Sequence, residues 1–374
     1  MKVLRNTTLH LLSLPVVFLI VWSGSNLILR PSLGIFWDAS TGVVYQVDLA
    51  DPLSEEVRQG DRVISGNGLS PALVYNLDGK SFGDVIIFKF EREGNVVTVP
   101  LEVAGPTIWL MLDRSIPLVI AFGFLFAGNF VFAYFRRGHL STLFYLFCLF
   151  AAVSLASGSL SAIGPAWTKP IFQIGLFSTL VLLIHLHLFF PVTVSNRVAR
   201  CFGFLLMGIT LALAIYYGMI GLFHSIFLSV TIFQWLPLIL ICVDVIFVVT
   251  VLERAYRKSE TAIARNQAGI IIFSGLIGFL PILSFSLIPH LIAGYPLISY
   301  SISFSSLVFI PVGYGYAILR FRLLGTEKTV HRGATNALLV ILLGGVFSIW
   351  YMLSIKLLSA EIAHSPFWLL CTVL

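Results

Sequence analysis

Charge is what this sequence has least of. Only 11% of its 374 residues are Asp, Glu, Lys or Arg, where a soluble domain carries roughly 25%, so the chain is not one soluble globule. Hydrophobic residues make up 58% and the mean hydropathy is +0.98. Disorder needs the opposite balance and is excluded as well. Cysteine is scarce: Cys148, Cys201, Cys242 and Cys371 lie in or beside apolar runs without CxxC spacing, which excludes a disulfide scaffold and a zinc ribbon. No His is followed by Glu, so the H-E-x-x-H motif of a zinc protease is missing. Internal repeats and low-complexity tracts are missing too. The sequence implies no cofactor, no metal ion and no nucleic-acid partner.

Long apolar runs are what the chain has instead. A spanning helix takes about 20 mostly apolar residues, and nine such runs occur, over 8–29, 115–135, 140–162, 170–192, 201–222, 226–251, 268–292, 297–318 and 336–357. A tenth opens at Pro366 and stops at Leu374. Nine residues at 1.5 Å each do not cross a bilayer, so a truncated tenth span is expected. The fold class predicted is a polytopic α-helical membrane protein with a small β-rich domain inserted after the first span. The divisions are 1–30, a membrane anchor; 31–105, an extracytoplasmic domain; and 106–374, a multi-span helical domain. Residues 8–29 follow Lys2 and Arg5 as a signal peptide would, but no A-x-A-like cleavage site follows them, and an uncleaved anchor is favoured.

Loop charge sets the expected orientation. Alternate loops hold Lys2 and Arg5; Arg136 and Arg137; Arg197 and Arg200; Arg254, Arg257, Lys258 and Arg265; and Arg320, Arg322, Lys328 and Arg332. The opposite side offers Lys169, with Arg30 and Arg114 at helix ends. The positive-inside rule then places the N-terminus in the cytoplasm of a multi-pass cell-membrane protein and residues 31–105 outside. That outer segment holds eleven acidic and five basic residues, a net charge of −6. Such a charge repels anionic headgroups, which favours contact with loops of the helical domain over contact with lipid.

Residues 31–105 read as strands at 43–47, 62–64, 84–90 and 95–101, with Glu93-Gly94-Asn95 as a hairpin turn. The stretch from Glu55 to Gly68, EEVRQGDRVISGNG, resembles the bacterial PDZ signature. Gly60 permits its tight turn, Asp61 bonds nearby amides, and Asn67-Gly68 supplies positive φ for the next turn. PDZ domains bind an extended peptide as an added strand and hold its terminal carboxylate in a backbone loop. The resemblance assigns that loop to Leu33-Gly34-Ile35-Phe36, where Ser32 stands in place of the usual first glycine. Peptide binding and a ligand-free structural domain both remain open.

The order of anchor, outer PDZ-like domain and helical block resembles the membrane input module of a bacterial sensor histidine kinase of the competence type, which senses peptide pheromones. Phe135-Arg136-Arg137, the segment from Glu253 to Lys258, and the segment from Phe309 to Leu324, with its Pro-x-Gly helix end and Arg-Phe-Arg-Leu stretch, carry the likeness. The resemblance implies a signal-sensing module of a two-component system, an extracellular signal that is a peptide or small molecule, a homodimer, and a kinase core that is absent from this chain. The rival classes are a PDZ scaffold, a transporter and an intramembrane protease. No catalytic motif supports the last, and Ser157-Gly158-Ser159 reads more simply as small residues for helix packing.

Within the spans, His185, His187 and Asp244 are the polar candidates, with Asn129, Gln173 and Gln234 behind them. His185 and His187, two residues apart, point about 200° from one another on a helix and do not share an ion. His185 and Asp244 fall at similar depth in helices of the same direction, so a pair between them is an expectation. Intramembrane charge is costly and is a site hypothesis by default. A ligand is expected between the outer domain and the loops at 163–169, 222–225 and 290–296. Kinks at Pro281, Pro289 and Pro311 are expected to relay the change to the loop at 320–332.

Overall fold

An apolar run that leaves water closes its backbone hydrogen bonds within itself, and helices dominate the computed structural model of the chain. It describes residues 11–37, 42–47, 56–74, 77, 80–134, 138–161, 165, 167–223, 232–293 and 296–322. Helix α1 (Ser13–Leu27) leads into strands β1 (Ile35–Trp37), β2 (Val44–Val47) and β3 (Arg62–Gly66), a short helix α2 (Pro71–Val74), and strands β4 (Val85–Arg92) and β5 (Asn95–Glu102). Helices α3 (Ile108–Tyr134), α4 (His139–Ser161), α5 (Thr168–Phe189), α6 (Arg197–Phe223), α7 (Ile232–Lys258) and α8 (Ala262–Pro281) follow. Helix α8 runs through a π-helical segment, Ile282–Leu287, into α9 (Ile288–Ala293). Helix α10 (Tyr300–Phe304) runs through a 3₁₀ turn, Ser305–Val308, into α11 (Phe309–Arg322).

Among the described residues six helices are long and apolar enough to cross a membrane: Ile108–Ala133, His139–Ser161, Thr168–Phe189, Arg197–Met219, Ala262–His290 and Tyr300–Leu319. They make this a membrane protein by length and composition. Helix α1 is apolar but has 15 residues, about 22 Å against a hydrocarbon core of about 30 Å. Helix α7 has 27 residues and carries Asp244. The run at 336–357 and the segment from Pro366 lie outside the described residues. Helix α3 starts at Ile108, seven residues before the predicted 115. Thr107 starts it: its hydroxyl accepts the Leu110 amide at 3.3 Å, and its carbonyl accepts the Met111 amide at 2.9 Å.

Helix α4 sits between α3 and α5, with α6 outside α5 and α11 against both α8 and α3. Burial follows that order: 67% of the apolar window of α4 is buried, against 22% for α6. Small residues allow the closest approaches. A Cβ on Gly175 would meet the Ser154 amide nitrogen at 2.9 Å, and one on Gly313 would collide with the Ser274 side chain. The Ser154–Ser161 stretch is a packing surface of this kind, and the Ser157 hydroxyl donates to the Val153 carbonyl of its own helix at 2.6 Å.

The β region forms two antiparallel sheets, β1–β2 and β3–β4–β5. Bridges at Val43–Arg62 and Ser32–Ala104 join them, so the backbone pairing runs in a ring. Strand β4 alternates strictly: Ile86, Phe88 and Phe90 are buried while Val85, Ile87, Lys89 and Glu91 face outward. The inward residues meet Leu33, Ile35, Trp37, Val44, Val63 and Leu101 in a core separate from that of the helices.

Candidate functional site

The turn that opens the PDZ-like signature is built around a buried carboxylate. Gly60 takes φ +95°, which lets the chain reverse so that Asp61 Oδ2 accepts the Arg58 amide at 2.8 Å. Asp61 is 3% exposed. Arg92, at the far end of β4, donates Nε to Oδ1 at 2.8 Å and Nη2 to Oδ2 at 2.6 Å. A second bond runs from Nη2 to the Glu56 carbonyl at 2.7 Å. Burial pushes the Asp61 carboxyl upward, but the Arg92 hydrogen bond, the Arg58 amide and the Arg92 charge outweigh it and hold its pKa below the ordinary value. The same fork raises Arg92. The next turn follows from Asn67 and Gly68, with φ +46° and +79°, the signs of a type I′ turn. The Asn67 amide donates to the Ile87 carbonyl at 2.8 Å, and its Oδ1 accepts the Ile87 amide at 2.8 Å. Both turns are thereby joined to β4, and their polar atoms serve the fold.

The loop assigned to carboxylate capture is placed just before β1. Leu33 and Ile35 each lie 3% exposed in the domain core, Phe36 is half-buried, and Gly34 takes φ +70°. Ser32, where the PDZ loop has glycine, uses its hydroxyl to accept the Gly34 amide at 3.2 Å. One of the amides that a peptide carboxylate would take is therefore occupied from within. The Trp37 indole donates to the Pro71 carbonyl at 3.2 Å and ties β1 to the start of α2.

The junction between domain and helices is densely hydrogen-bonded. The Ser32 and Ala104 backbones exchange hydrogen bonds at 3.0 and 2.9 Å, which zips the incoming and outgoing chain together. Arg114 donates Nη1 to the Arg30 carbonyl at 2.6 Å and to the Leu27 carbonyl at 3.2 Å. Leu27 is the last residue of α1 and its carbonyl also accepts the Arg30 amide at 3.3 Å, so Arg114 clasps the turn by which the chain leaves that helix. Its neighbour Asp113 accepts the Ser299 hydroxyl at 2.6 Å, and the Ser299 oxygen caps α10 by accepting the Ile302 amide at 3.4 Å. Tyr300 shares a hydrogen bond with His290 Nδ1 at 3.1 Å. Two adjacent residues of α3 thus hold the end of α1 and the start of α10. The sequence alone marks Arg114 as a charge at a helix end and gives it no partner. The signal for this site was a charged dipeptide inside an otherwise apolar stretch.

The intramembrane candidates part company. His187 is fully buried. Its Nδ1 lies 2.9 Å from the Leu183 carbonyl, and its Nε2 lies 2.9 Å from the Tyr314 hydroxyl. A carbonyl only accepts, so Nδ1 carries the proton and Tyr314 donates to Nε2. This bond joins α5 to α11, and Phe144 and Phe147 of α4 surround it. His185 points elsewhere, toward the rings of His139 and Phe189 at 5.6 and 5.3 Å. The expected His185–Asp244 hydrogen bond is not among those of the described residues: Asp244 Oδ2 accepts from Thr210 of α6 at 3.0 Å. Oδ1 of Asp244 and Nε2 of His185 are buried without a hydrogen-bond partner among the described residues. Asn129 donates to Ser13 at 3.0 Å and to the Leu125 carbonyl at 2.9 Å, joining α1 to α3. The Gln234 side chain lies outside the described residues.

Thr210, Ser299 and Arg92, partners in these contacts, have no periodicity or motif that marks them, and Tyr314 falls in the Phe309–Leu324 stretch without being singled out by it. Among the described residues no three His, Cys, Asp or Glu side chains converge on a metal-sized site. Comparison of the chain with protein-family models, with curated proteins and with solved structures finds no match.

Proposed function

We propose that the chain is a membrane-embedded signal-receiving module whose outer β domain has a PDZ-like fold and passes a binding event to the helices through the Asp113-Arg114 junction. The observation that carries this reading is the double grip of α3. Any displacement of the domain pulls on Ala104 and Ser32 together. Arg114 and Asp113 lie within ten residues of Ala104 and hold α1 and α10. A ligand that favours one domain position then favours one helix arrangement, as population shift requires. The proposal extends to an input role for a sensor histidine kinase. In it the N-terminus is cytoplasmic, the domain extracytoplasmic and the working state a homodimer. The ligand is an extracellular peptide or small molecule.

The test uses the full chain in lipid nanodiscs, screened against a library of peptides with free C-termini and followed by hydrogen exchange. Under the sensor reading, a bound peptide changes exchange in α3 and α10–α11 as well as in the β domain. Exchange changes confined to the β domain favour the scaffold reading. Accumulation of the peptide inside vesicles favours a transporter.

A further inference from the structure

The outward face of the β domain is not uniform along its length. On β4 the exposed residues run Val85, Ile87, Lys89 and Glu91, apolar at one end and charged at the other. The apolar end continues into Phe82, 63% exposed, and is joined by Leu69, 50% exposed, in the turn whose Asn67 pairs with Ile87. The opposite end holds Glu91, Glu93 and Asn95, all exposed.

The apolar end is the end that faces the helices. Val85 pairs with Glu102, the Gly83 amide donates to the Val103 carbonyl at 2.9 Å, and the Val103 amide donates to the Asp84 carbonyl at 2.8 Å. Gly83 and Asp84 therefore sit beside Val103, one strand spacing of about 4.8 Å away in the ladder, and Phe82 immediately precedes them. Val103 in turn precedes the first residue of α3 by five positions, at most about 17 Å of extended chain. That helix opens with Ile108 and Trp109, 74% and 50% exposed, and α1 ends beside Leu29, 63% exposed. These side chains mark where the bundle meets the headgroup region, the depth that aromatic residues prefer. Lys80, also exposed, flanks Phe82 as a cation flanks an interfacial anchor.

We infer that the tether-proximal end of the β domain, Phe82 with Val85, Ile87 and Leu69, is a lipid-docking surface that rests in the headgroup–acyl boundary of the outer leaflet. Exposed acidic residues stand at both ends, Asp84 and Glu102 near the tether and Glu91 and Glu93 at the hairpin, so the contact is driven by the apolar side chains and not by the net charge of −6 over 31–105. The inference stands apart from the sensor reading, since a scaffold or transporter with this domain would rest on lipid in the same way.

The experiment compares nitroxide labels at two sites of the full chain in nanodiscs of phosphatidylcholine and phosphatidylglycerol. Phe82→Cys reports the apolar end. Val96→Cys reports the other, because Val96 pairs with Glu91, six residues along β4 from Val85 or roughly 20 Å. Cys201, Cys242 and Cys371 are replaced by Ser, while the fully buried Cys148 is kept to preserve its packing. Both labels sit on exposed positions and leave the domain core intact. The expected result is a ratio of oxygen to nickel-chelate collisions several-fold higher at 82 than at 96. Equal, nickel-dominated collisions at both sites overturn the inference, because the domain then stands clear of the bilayer. Shielding of the label at 82 from both reagents also overturns it, because protein then covers the surface. Oxygen-dominated collisions at 96 overturn the orientation on which it rests.

Discussion

The β domain and the helix bundle solve the same packing problem with different materials. In the domain, one face of each strand meets water, so alternation alone tells β4 which side to bury, and Ile86, Phe88 and Phe90 go inward. In the bundle, lipid is as apolar as the core, and hydrophobicity no longer distinguishes a face. What fixes the bundle is sparse: the Gly175 and Gly313 approaches, the His187–Tyr314 bond, the Gln267 bond to the Ala317 carbonyl at 3.0 Å, and the rim contacts of Asp113 and Arg114. The domain's buried charge pair Asp61–Arg92 is supported by three further hydrogen bonds. The bundle's buried Asp244 has one hydroxyl partner. Buried charge locks the water-facing region and stays incompletely paired in the lipid-facing one.

The sharpest break of this comparison is Arg92→Ala, which strands the Asp61 carboxylate. Leaving one member of a buried pair costs about 3–5 kcal/mol, at the lower end here because Arg92 keeps 22% side-chain exposure. Hydrogen exchange of the β3–β5 amides in nanodiscs should speed up accordingly while α4 is unmoved. The same pair sets a pH dependence. The Asp61 pKa is lower folded than unfolded, so its contribution is full above the unfolded value of about 3.9 and is lost as pH falls through the lower folded value. Domain protection in the wild type should therefore fall below about pH 4, and Asp61→Asn should remove that part of the loss.

Next in size is Gly313→Val. The added side chain has no room against Ser274, and overpacking costs roughly 1–3 kcal/mol. Thermal unfolding followed in nanodiscs should show the loss in α8 and α11, with the β domain unchanged. A smaller effect follows at His187 and Tyr314. Interhelical hydrogen bonds in membranes contribute about 0.6 to 1.7 kcal/mol, so a double-mutant cycle of His187→Phe and Tyr314→Phe should give a coupling in that range. A coupling near zero would remove the bond from the list of what fixes the bundle. The smallest effect belongs to the exposed Glu253–Arg257 pair, 3.0 Å apart on α7. Glu253→Gln should cost no more than about 0.5 kcal/mol in the same thermal assay.

The helical runs and the hairpin were legible because each rests on neighbours in sequence. The run at 140–162 became α4 (His139–Ser161), and Glu93-Gly94 took φ +50° and +81° at the hairpin tip. The Asn67-Gly68 turn was legible for the same local reason. The start of α3 was not, because Asp113 and Arg114 look like residues that end a span until their partners at Ser299 and Arg30 are known. Nor was the partner of Asp61: Arg92 is 31 residues away, and only the Arg62–Glu91 register brings it alongside.

By itself, then, the sequence determined the membrane class, the helical spans that meet the length of a bilayer, and the local turns and alternation of a β-rich insert. These follow from free energies that depend on a residue and its near neighbours: transfer of apolar side chains out of water, backbone self-satisfaction and the φ preference of Asn and Gly. Tertiary structure decided which polar side chains meet. His187 met Tyr314, Asp244 met Thr210 rather than His185, and Asp113-Arg114, charges near a helix end in the sequence, became a junction. A hydrogen bond forms only when two groups come within about 3 Å at the right angle. In a bundle whose helices are apolar all round, helix rotation and order set that geometry, and no local pattern encodes either.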